Sequence, residues 1–516
     1  MNQETLEHLY VTGDYSLLLE EIDELRYNHS STKLSDLEKA ICVSYHTRAL
    51  IRLGKVKDAK ETIEKISKPD ITKHYTISSL IYQTSIINLH ITRGNITEAI
   101  NKGFTTISIV EQQKLEFSEN SKFLSFWSSF LYFLIGMAHY YEFKNNSAAK
   151  YFQKSLKVNE SNQFIKAKCL YYSAFIEREK GNITKYYELL EESLKIFQTI
   201  DAKQGMAWIG TWQGQYSLHK GEFKEAKEKF SEVLALFRSI SDIQGLNVVN
   251  SLTGLMFYQQ GEIEQAEEIL REAFDSSVEI GNPMILSYCY LPLVFLYVES
   301  KNRPKAHECN QKFQEFSKTT SNEVVKLHGS LAKAIFLKSS SRFIDKGHAQ
   351  QIFHKLLEDA NSERYPKHAQ ILPTSDKDFS FLVVSHLIEL YIEEFKLTED
   401  KKIMVEAQQL LDDHIQMADT LKFSPKLVEF SLLKAKMLIV DGKIEKALAI
   451  LEQVKKDANI NKLHRLQDKV SFEMMQIERE FQKWDAAISV KERIEKVQIE
   501  DYLKKAQKLI SEHQQD

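Results

Sequence analysis

Proline and glycine are scarce in this chain, whose 516 residues include 7 prolines and 17 glycines. An all-β fold needs many Gly and Pro turns, so this composition argues against one and favours helices joined by tight turns. The chain is also several times longer than one compact domain. We therefore expect either several globular domains or one long array of repeats.

Cysteine is equally rare, and no two of the four cysteines form a CxxC pair. Cys42, Cys169, Cys289 and Cys309 lie among apolar residues, which favours reduced, buried thiols and a cytoplasmic location. The N-terminal residues show no basic stretch followed by an apolar run, so we expect no secretory signal.

An excess of either charge is missing, because 68 basic residues are balanced by 72 acidic ones. Nucleic-acid-binding proteins usually carry a basic excess on one face, so we expect no nucleic-acid partner. One uncharged run, residues 123–138 (FLSFWSSFLYFLIGMA), has 16 residues. A spanning helix needs about 20 apolar residues, so we predict a buried helix here and no membrane insertion.

Catalytic and cofactor motifs are absent as well. The chain contains no GxGxxG, GxxxxGK[ST] or GxSxG, the patterns of dinucleotide, phosphate and acyl-transfer sites. His307-Glu308 lacks the second histidine of a zinc-protease helix. We expect a protein that is not an enzyme, with no metal and no cofactor.

What the chain does contain is a repeated six-residue pattern: Gly, any residue, apolar, two residues, Ala. It occurs as GKVKDA (54–59), GNITEA (94–99), GEFKEA (221–226), GEIEQA (261–266) and GKIEKA (442–447). The step from Gly54 to Gly94 equals the step from Gly221 to Gly261. With weaker copies, including QKWDAA at 482–487, we count about twelve units, as in a helical repeat protein.

The pattern has a physical explanation. Gly221 ends a first helix, where a left-handed backbone costs least without a Cβ atom. Ala226 lies where the second helix crosses the first closely, and Phe230, four residues later, falls on the same helix face. Gly214, seven residues before Gly221, allows the first helix to approach the second.

These residues resemble the tetratricopeptide repeat: Gly214, Gly221, Phe223, Ala226 and Phe230 match its pattern. The period, about 40 residues, is longer than the usual value of about 34 residues. This longer variety of the repeat is similar to the sensor domain of maltose-responsive transcription activators and to kinesin light chain. The resemblance implies an all-α, right-handed superhelical solenoid of about twelve tandem helix–turn–helix repeats that binds other proteins.

One segment interrupts the repeats. Residues 361–378 are polar and contain two of the seven prolines, so we predict a loop or hinge. It would separate an N-terminal array (1–360) from C-terminal units (379–516) that end in a capping helix. A single continuous solenoid with one elongated connection is the alternative.

The resemblance also implies that the first helices line a concave surface. The inward positions then precede each glycine by thirteen, ten, six, three or two residues. The predicted partner-binding residues are Phe130, Phe133, Tyr140, Tyr141, Tyr171, Phe175, Arg178, Trp208, Gln215, Tyr258, Tyr288 and Phe295. Such aromatic and Arg side chains are usual anchors of recognition, unless the surface is narrow and its aromatics pack on one another.

Two functions follow as hypotheses. The first is a non-enzymatic scaffold or adaptor that binds a partner peptide or helix in the concave groove. The second is a ligand-responsive sensor module that acts through a separate effector. The identity of the partner and the oligomeric state stay open.

Overall fold

The computed structural model describes residues 3–28, 34–65, 76–112, 121–159, 161–180, 182–361 and 376–488. Within these ranges all regular structure is helical, in twenty-three α-helices. They are α1 (Gln3–Thr12), α2 (Tyr15–Asn28), α3 (Asp36–Arg52), α4 (Val56–Glu64), α5 (Ile77–Thr92), α6 (Ile96–Gln112), α7 (Ser121–Tyr141), α8 (Asn145–Val158), α9 (Gln163–Glu179), α10 (Ile183–Thr199), α11 (Lys203–Lys220), α12 (Phe223–Ser239), α13 (Ile243–Gln260), α14 (Ile263–Ile280), α15 (Pro283–Glu299), α16 (Arg303–Ser317), α17 (Glu323–Lys338), α18 (Phe343–Asn361), α19 (Asp376–Thr398), α20 (Lys401–Thr420), α21 (Ser424–Val440), α22 (Ile444–Ile460) and α23 (His464–Ile488).

The helices form a solenoid of repeated pairs, as the sequence predicted. Each odd-numbered helix is the first of a unit and the next even-numbered helix is the second, which gives eleven pairs followed by α23 in the described part of the chain. First helices pack on the second helix of their own unit and, in most units, on the first helix of the next. This arrangement confirms the predicted all-α tetratricopeptide-like fold.

The turn after α11 shows why the repeat pattern produces this pairing. Gly221 has a φ of +82° and donates its N–H to the carbonyl of Leu218 at 3.0 Å, a left-handed helix end that favours glycine. A Cβ atom at Gly214 would lie 2.8 Å from the ring of Phe230. The predicted close crossing of the two helices is therefore confirmed, and Ala226 is fully buried in it.

Successive turns of the superhelix touch each other. Thr320 donates its hydroxyl to the carbonyl of Gly94 at 2.9 Å, across 226 positions of sequence. A Cβ atom at Gly94 would lie 2.4 Å from the Thr320 hydroxyl and 2.9 Å from Pro283. Since the repeats recur every 40 residues, this contact places between five and six units in one superhelical turn.

The C-terminal part of the chain differs from the repeat pattern. The weak copy of the repeat pattern at 482–487 predicts a turn between two helices. This prediction is wrong, because α23 continues through Gln482 to Ile488. The segment has no glycine that could end the helix there. The capping helix expected around 491–508 lies outside the described residues.

The predicted loop 361–378 is shorter at its C-terminal side, because α19 already begins at Asp376. The residues between α18 and α19 lie outside the described ranges. Phe353 of α18 and Val384 of α19 belong to one hydrophobic cluster, so the units on either side share a core. Whether the connection acts as a hinge stays a prediction.

The uncharged run at 123–138 lies within α7, where Trp127 and Ile135 are fully buried. No helix in the described ranges has both the length and the apolar character that crossing a bilayer requires. All four cysteines are buried free thiols, as expected. Burial raises the pKa of the Cys169 thiol to about 12, so this thiol stays protonated.

Candidate binding cavity inside the superhelix

A cavity of about 200 Å³ lies on the inner side of the superhelix. The first helices of eight consecutive units, α3 to α17, contribute to its wall. That volume suits on the order of a dozen water molecules. The predicted placement of first helices on the inner surface is therefore observed, and the cavity is a partly open concavity on that surface.

The twelve predicted residues divide into two groups. The cavity wall contains Tyr140, Tyr141, Tyr171, Phe175, Trp208 and Tyr288. The other six, which lie elsewhere, are Phe130, Phe133, Arg178, Gln215, Tyr258 and Phe295. Half of the predicted side chains therefore lie in the cavity wall, and all twelve lie on first helices that contribute to it. Whether they bind a partner stays a prediction.

An aromatic network forms one side of the cavity. The ring of Phe175 packs edge-on against Tyr171 at 4.9 Å and against Trp212 at 5.2 Å between centroids. Trp212 donates its indole N–H to the hydroxyl of Tyr171. Trp208 packs its edge on Phe237 at 5.4 Å. These contacts fix the ring positions, so the aromatic wall is preorganised.

Two predicted aromatics are covered by their neighbours. Phe130 packs 6.0 Å from Trp127, and Phe133 packs 6.0 Å from Phe152. Both are buried, with Phe133 only 2% exposed. Phe130 also packs against Arg48 of α3, and neither ring is part of the cavity wall. Whether they bind a partner stays a prediction.

The remaining four predicted residues contact side chains outside the cavity or at its edge. The guanidinium carbon of Arg178 lies 5.1 Å from the Phe175 centroid. The side-chain nitrogen of Gln215 pairs with His219 at 3.1 Å. Phe295 faces His386 at 6.3 Å. Tyr258 packs against a helix of the next superhelical turn and is 8% exposed.

Amide side chains form a second part of the wall. Gln244 donates its side-chain N–H to the carbonyl of Ile51 at 2.6 Å and accepts one from Asn282 at 2.9 Å. Gln204 donates to the buried carboxylate of Asp242 at 2.6 Å. Gln204, Gln244 and Asn282 all line the cavity. The first of these bonds joins α13 to the end of α3, across 193 positions.

Two basic side chains complete the wall: Arg52 at the end of α3 and Lys168 in α9. Lys168 is half-buried, and part of its accessible surface faces the cavity. Burial, together with the neighbouring Arg52 and Arg48, lowers the pKa of Lys168 to about 7, while Tyr10 and Asp242 oppose this shift. Among the described residues, no carboxylate contributes to the cavity wall.

Metal-binding geometry is not found in the described ranges, where no group of three or more His, Cys, Asp or Glu side chains is suitably placed. His348 and His354 lie on α18, away from the cavity wall. The expectations of no metal, no cofactor and no catalysis remain predictions.

No protein-family model and no curated protein sequence matches this chain. Solved structures with similar architecture include NprR in complex with its cognate peptide NprX, at 18% identity and a TM-score of 0.48, covering 70% of this chain and 98% of that one. A Rap protein complexed with competence and sporulation factor has 12% identity and a TM-score of 0.46, covering 74% of this chain and 99% of that one. A human IFIT1 dimer with m7Gppp-AAAA has 14% identity and a TM-score of 0.42, covering 87% and 88%.

The chain is a tetratricopeptide-like helical-repeat protein. Its own helix pairs and their regular spacing carry that assignment.

Several wall residues of this repeat protein escaped the sequence reasoning, although a signal for them exists. Lys168 precedes Gly181 by thirteen residues, as Trp208 precedes Gly221. Gln204 and Gln244 are one repeat period apart, and so are Asn282 and Asn322. Polar residues that recur at the repeat period near the start of first helices therefore indicate the cavity wall.

Proposed function

We propose that this protein binds a short peptide segment of a partner protein in its central cavity and acts as a non-catalytic interaction module. The observation that carries the proposal is the cavity itself, lined by the first helices of eight consecutive units. Ligand sites are typically concave and mostly apolar, with a few placed polar groups. This wall combines aromatic rings with amides in that way.

The chemistry of the wall suits an extended peptide. Trp208, Trp212 and Tyr288 offer rigid aromatic area, which contributes strongly to recognition. Asn88 lines the cavity, and its side chain makes no hydrogen bond to any described residue. Such an amide can both donate to and accept from a peptide backbone.

An extended segment fits better than a helix, the other partner that the sequence suggested. An α-helix with its side chains is about 10–12 Å across. A cavity of about 200 Å³ is small for such a cylinder. The end of a flexible segment, with two or three side chains inserted, matches the volume.

A ligand-responsive regulator is the second candidate, and one observation favours it. Gln244 lines the cavity and also holds α13 to the carbonyl of Ile51 near the end of α3. A ligand that competes for the Gln244 amide, or strengthens its contact, alters the closure of the first superhelical turn. A ligand shifts such an equilibrium only by its differential affinity for the two states.

Selection of short random peptides by phage display tests the first function. We expect enrichment on the native protein, and a loss of affinity of about tenfold or more in Trp208→Ala. Phe343→Ala is the matched control, because that ring is 63% exposed and outside the cavity wall. Helical circular dichroism verifies folding of both variants.

Equal binding of the selected peptides to native protein and Trp208→Ala would remove the proposal. Small-angle scattering with and without a selected peptide separates the two candidates. A changed radius of gyration that is lost in Gln244→Ala favours the regulator, whereas an unchanged radius favours the simple interaction module.

A further inference from the structure

Three basic side chains converge on one side of the cavity. Arg48 and Arg52 lie one helical turn apart near the end of α3, and Lys168 lies on α9. Arg52 and Lys168 form part of the cavity wall, and Arg48 is 4% exposed behind it. The three groups are close enough to interact electrostatically with the same phenol, Tyr10.

None of these cations forms an ion pair with a described residue. The Arg48 guanidinium lies 3.9 Å from the centroid of Tyr10 and 4.6 Å from that of Phe130. Its Nη1 atom is buried and makes no hydrogen bond within the described ranges. The ammonium of Lys168 faces the ring of Phe164 at 4.6 Å. Aromatic faces stabilise a cation only modestly.

The hydrogen bonds of the nearest carboxylates are directed elsewhere. Asp242 accepts hydrogen bonds from Gln204 at 2.6 Å and from the N–H of Gly245 at 3.0 Å. Glu7 accepts one from Asn162 at 2.7 Å. Two carboxylates therefore face three cations, and neither contacts a cation directly.

An uncompensated buried charge is costly, and proteins pair it or neutralise it. The titration behaviour agrees with an excess of positive charge. Burial alone would raise the pKa of Tyr10, yet Arg52, Arg48 and Lys168 lower it. A structural role between α1, α3 and α7 explains Arg48, which packs on rings from both neighbours. Arg52 also directs its Nε–H to the Tyr10 hydroxyl, at the long distance of 3.5 Å, and both Arg52 and Lys168 form part of the cavity wall.

We infer that the cavity binds an anionic group, a carboxylate or a phosphate, at the wall formed by Arg52 and Lys168, with an apolar part of the same ligand against Trp208 and Trp212. The inference rests on the proposed function and names its ligand class. In a peptide, the anion is the C-terminal carboxylate, an acidic side chain or a phosphorylated one.

A matched set of probes tests the charge separately from the cavity. The probes are 3-phenylpropionate, its neutral amide 3-phenylpropionamide, and phenyl phosphate. All three carry a phenyl ring and differ in the polar group, and isothermal titration calorimetry measures their binding. We expect the native protein to bind at least one of the two anions about tenfold tighter than the amide. Tighter binding of phenyl phosphate than of the carboxylate identifies a phosphate site, and the reverse order identifies a carboxylate site.

Variants assign the preference to the cluster. Lys168→Met is expected to remove most of the preference for the anion and leave the amide affinity unchanged, whereas Lys168→Arg retains the preference. Lys396→Met is the control, a lysine that lines a different pocket between α17 and α23. Equal affinity of the acid and the amide for native protein, with both lost in Trp208→Ala, would overturn the inference and leave the binding cavity standing. Absence of binding by all three probes at millimolar concentration would count against both the anion site and the proposed binding cavity.

Discussion

Arg465 of α23 lies over the ring of Tyr258 in α13, with its guanidinium carbon 4.7 Å from the ring centroid. The two residues are 207 positions apart. The same guanidinium donates to both carboxylate oxygens of Glu299 at 2.8 and 2.9 Å, and Lys469 donates to Glu299 at 2.7 Å. These residues join two turns of the superhelix at one point.

The first prediction follows from that contact. Glu299→Gln removes the carboxylate that Arg465 and Lys469 both contact and leaves only Glu429, which interacts with them without an ion-pair contact. The Arg465 side chain is only 17% exposed. We expect a destabilisation of about 2 kcal/mol, below the value for a fully buried pair because Glu299 is partly exposed. Urea denaturation measures the loss, and hydrogen exchange should locate it in α13 and α23.

Glu191→Gln is the matched control, because the Glu191–Lys195 pair is exposed on both sides. Its effect should stay within about 0.5 kcal/mol. A stability change in Glu299→Gln no greater than in Glu191→Gln would show that the contact between superhelical turns is held by apolar packing alone.

The second prediction compares two glycines within helices. A Cβ atom at Gly254 would lie 2.5 Å from Leu270, whereas one at Gly347 meets nothing within 4 Å. Gly254→Ala should cost about 1–3 kcal/mol through overpacking. Gly347→Ala should stabilise α18 by roughly 0.5–1 kcal/mol, since alanine favours a helix more than glycine. Thermal denaturation of both variants checks the opposite signs, and a stabilising Gly254→Ala would contradict the close crossing.

Those two glycines also show what the sequence could and could not predict. Gly254 precedes Gly261 by seven residues, so its crossing with the second helix is local and follows from the repeat pattern. The contact of Gly94 with Thr320 depends on how far each unit rotates against the last, a small angle that accumulates over several units. No pattern within one repeat fixes it, so the contact between superhelical turns could not be predicted, whereas the aromatic side of the cavity could.

The cationic side of the cavity was missed for a different reason. Charged residues on helices are usually solvent-exposed, so a lysine at an inward position does not by itself indicate a buried cationic wall. Lys168 occupies the same offset as Trp208, but its neighbours Tyr10 and Arg52 come from α1 and α3. Only the assembled superhelix brings these residues together.

The third prediction concerns acid stability. His328 is fully buried, its Nδ1 lies 3.0 Å from the Ser287 hydroxyl, and burial lowers its pKa to about 3. In the unfolded chain a histidine has a pKa of about 6.5. Below that pH the unfolded state binds a proton that the folded state does not, so stability falls as the pH falls.

Between pH 7.5 and 5.5 the expected loss from His328 is about 1–1.5 kcal/mol. His328→Gln should reduce the pH dependence over this interval, although its stability at pH 7.5 is also expected to be lower. Urea denaturation at both pH values measures the difference, with His464→Gln as an exposed control on α23. The same pH dependence in His328→Gln and native protein would show that His328 is not responsible.

The fourth prediction concerns proton uptake when an anion binds in the cavity. The pKa of Lys168, lowered to about 7 chiefly by burial, should rise when an anion binds beside it. Binding of 3-phenylpropionate should therefore take up protons near pH 7.5 and weaken as the pH rises, by up to about tenfold per unit. The groups that face Lys168 are Tyr10 of α1, Arg48 and Arg52 of α3, and Asp242 before α13. Of these, Tyr10 can also titrate in this range, because the same cations lower its pKa.

Calorimetry in bis-Tris and in Tris measures the proton uptake, since these cationic buffers differ in ionisation enthalpy and do not compete for an anion site. Lys168→Arg distinguishes the two titrating groups, because arginine keeps its charge at every pH used. We expect anion binding without proton uptake in this variant. If proton uptake persists in Lys168→Arg, the group that takes up the proton is not Lys168. Loss of that uptake in Tyr10→Phe would then assign it to the Tyr10 phenol.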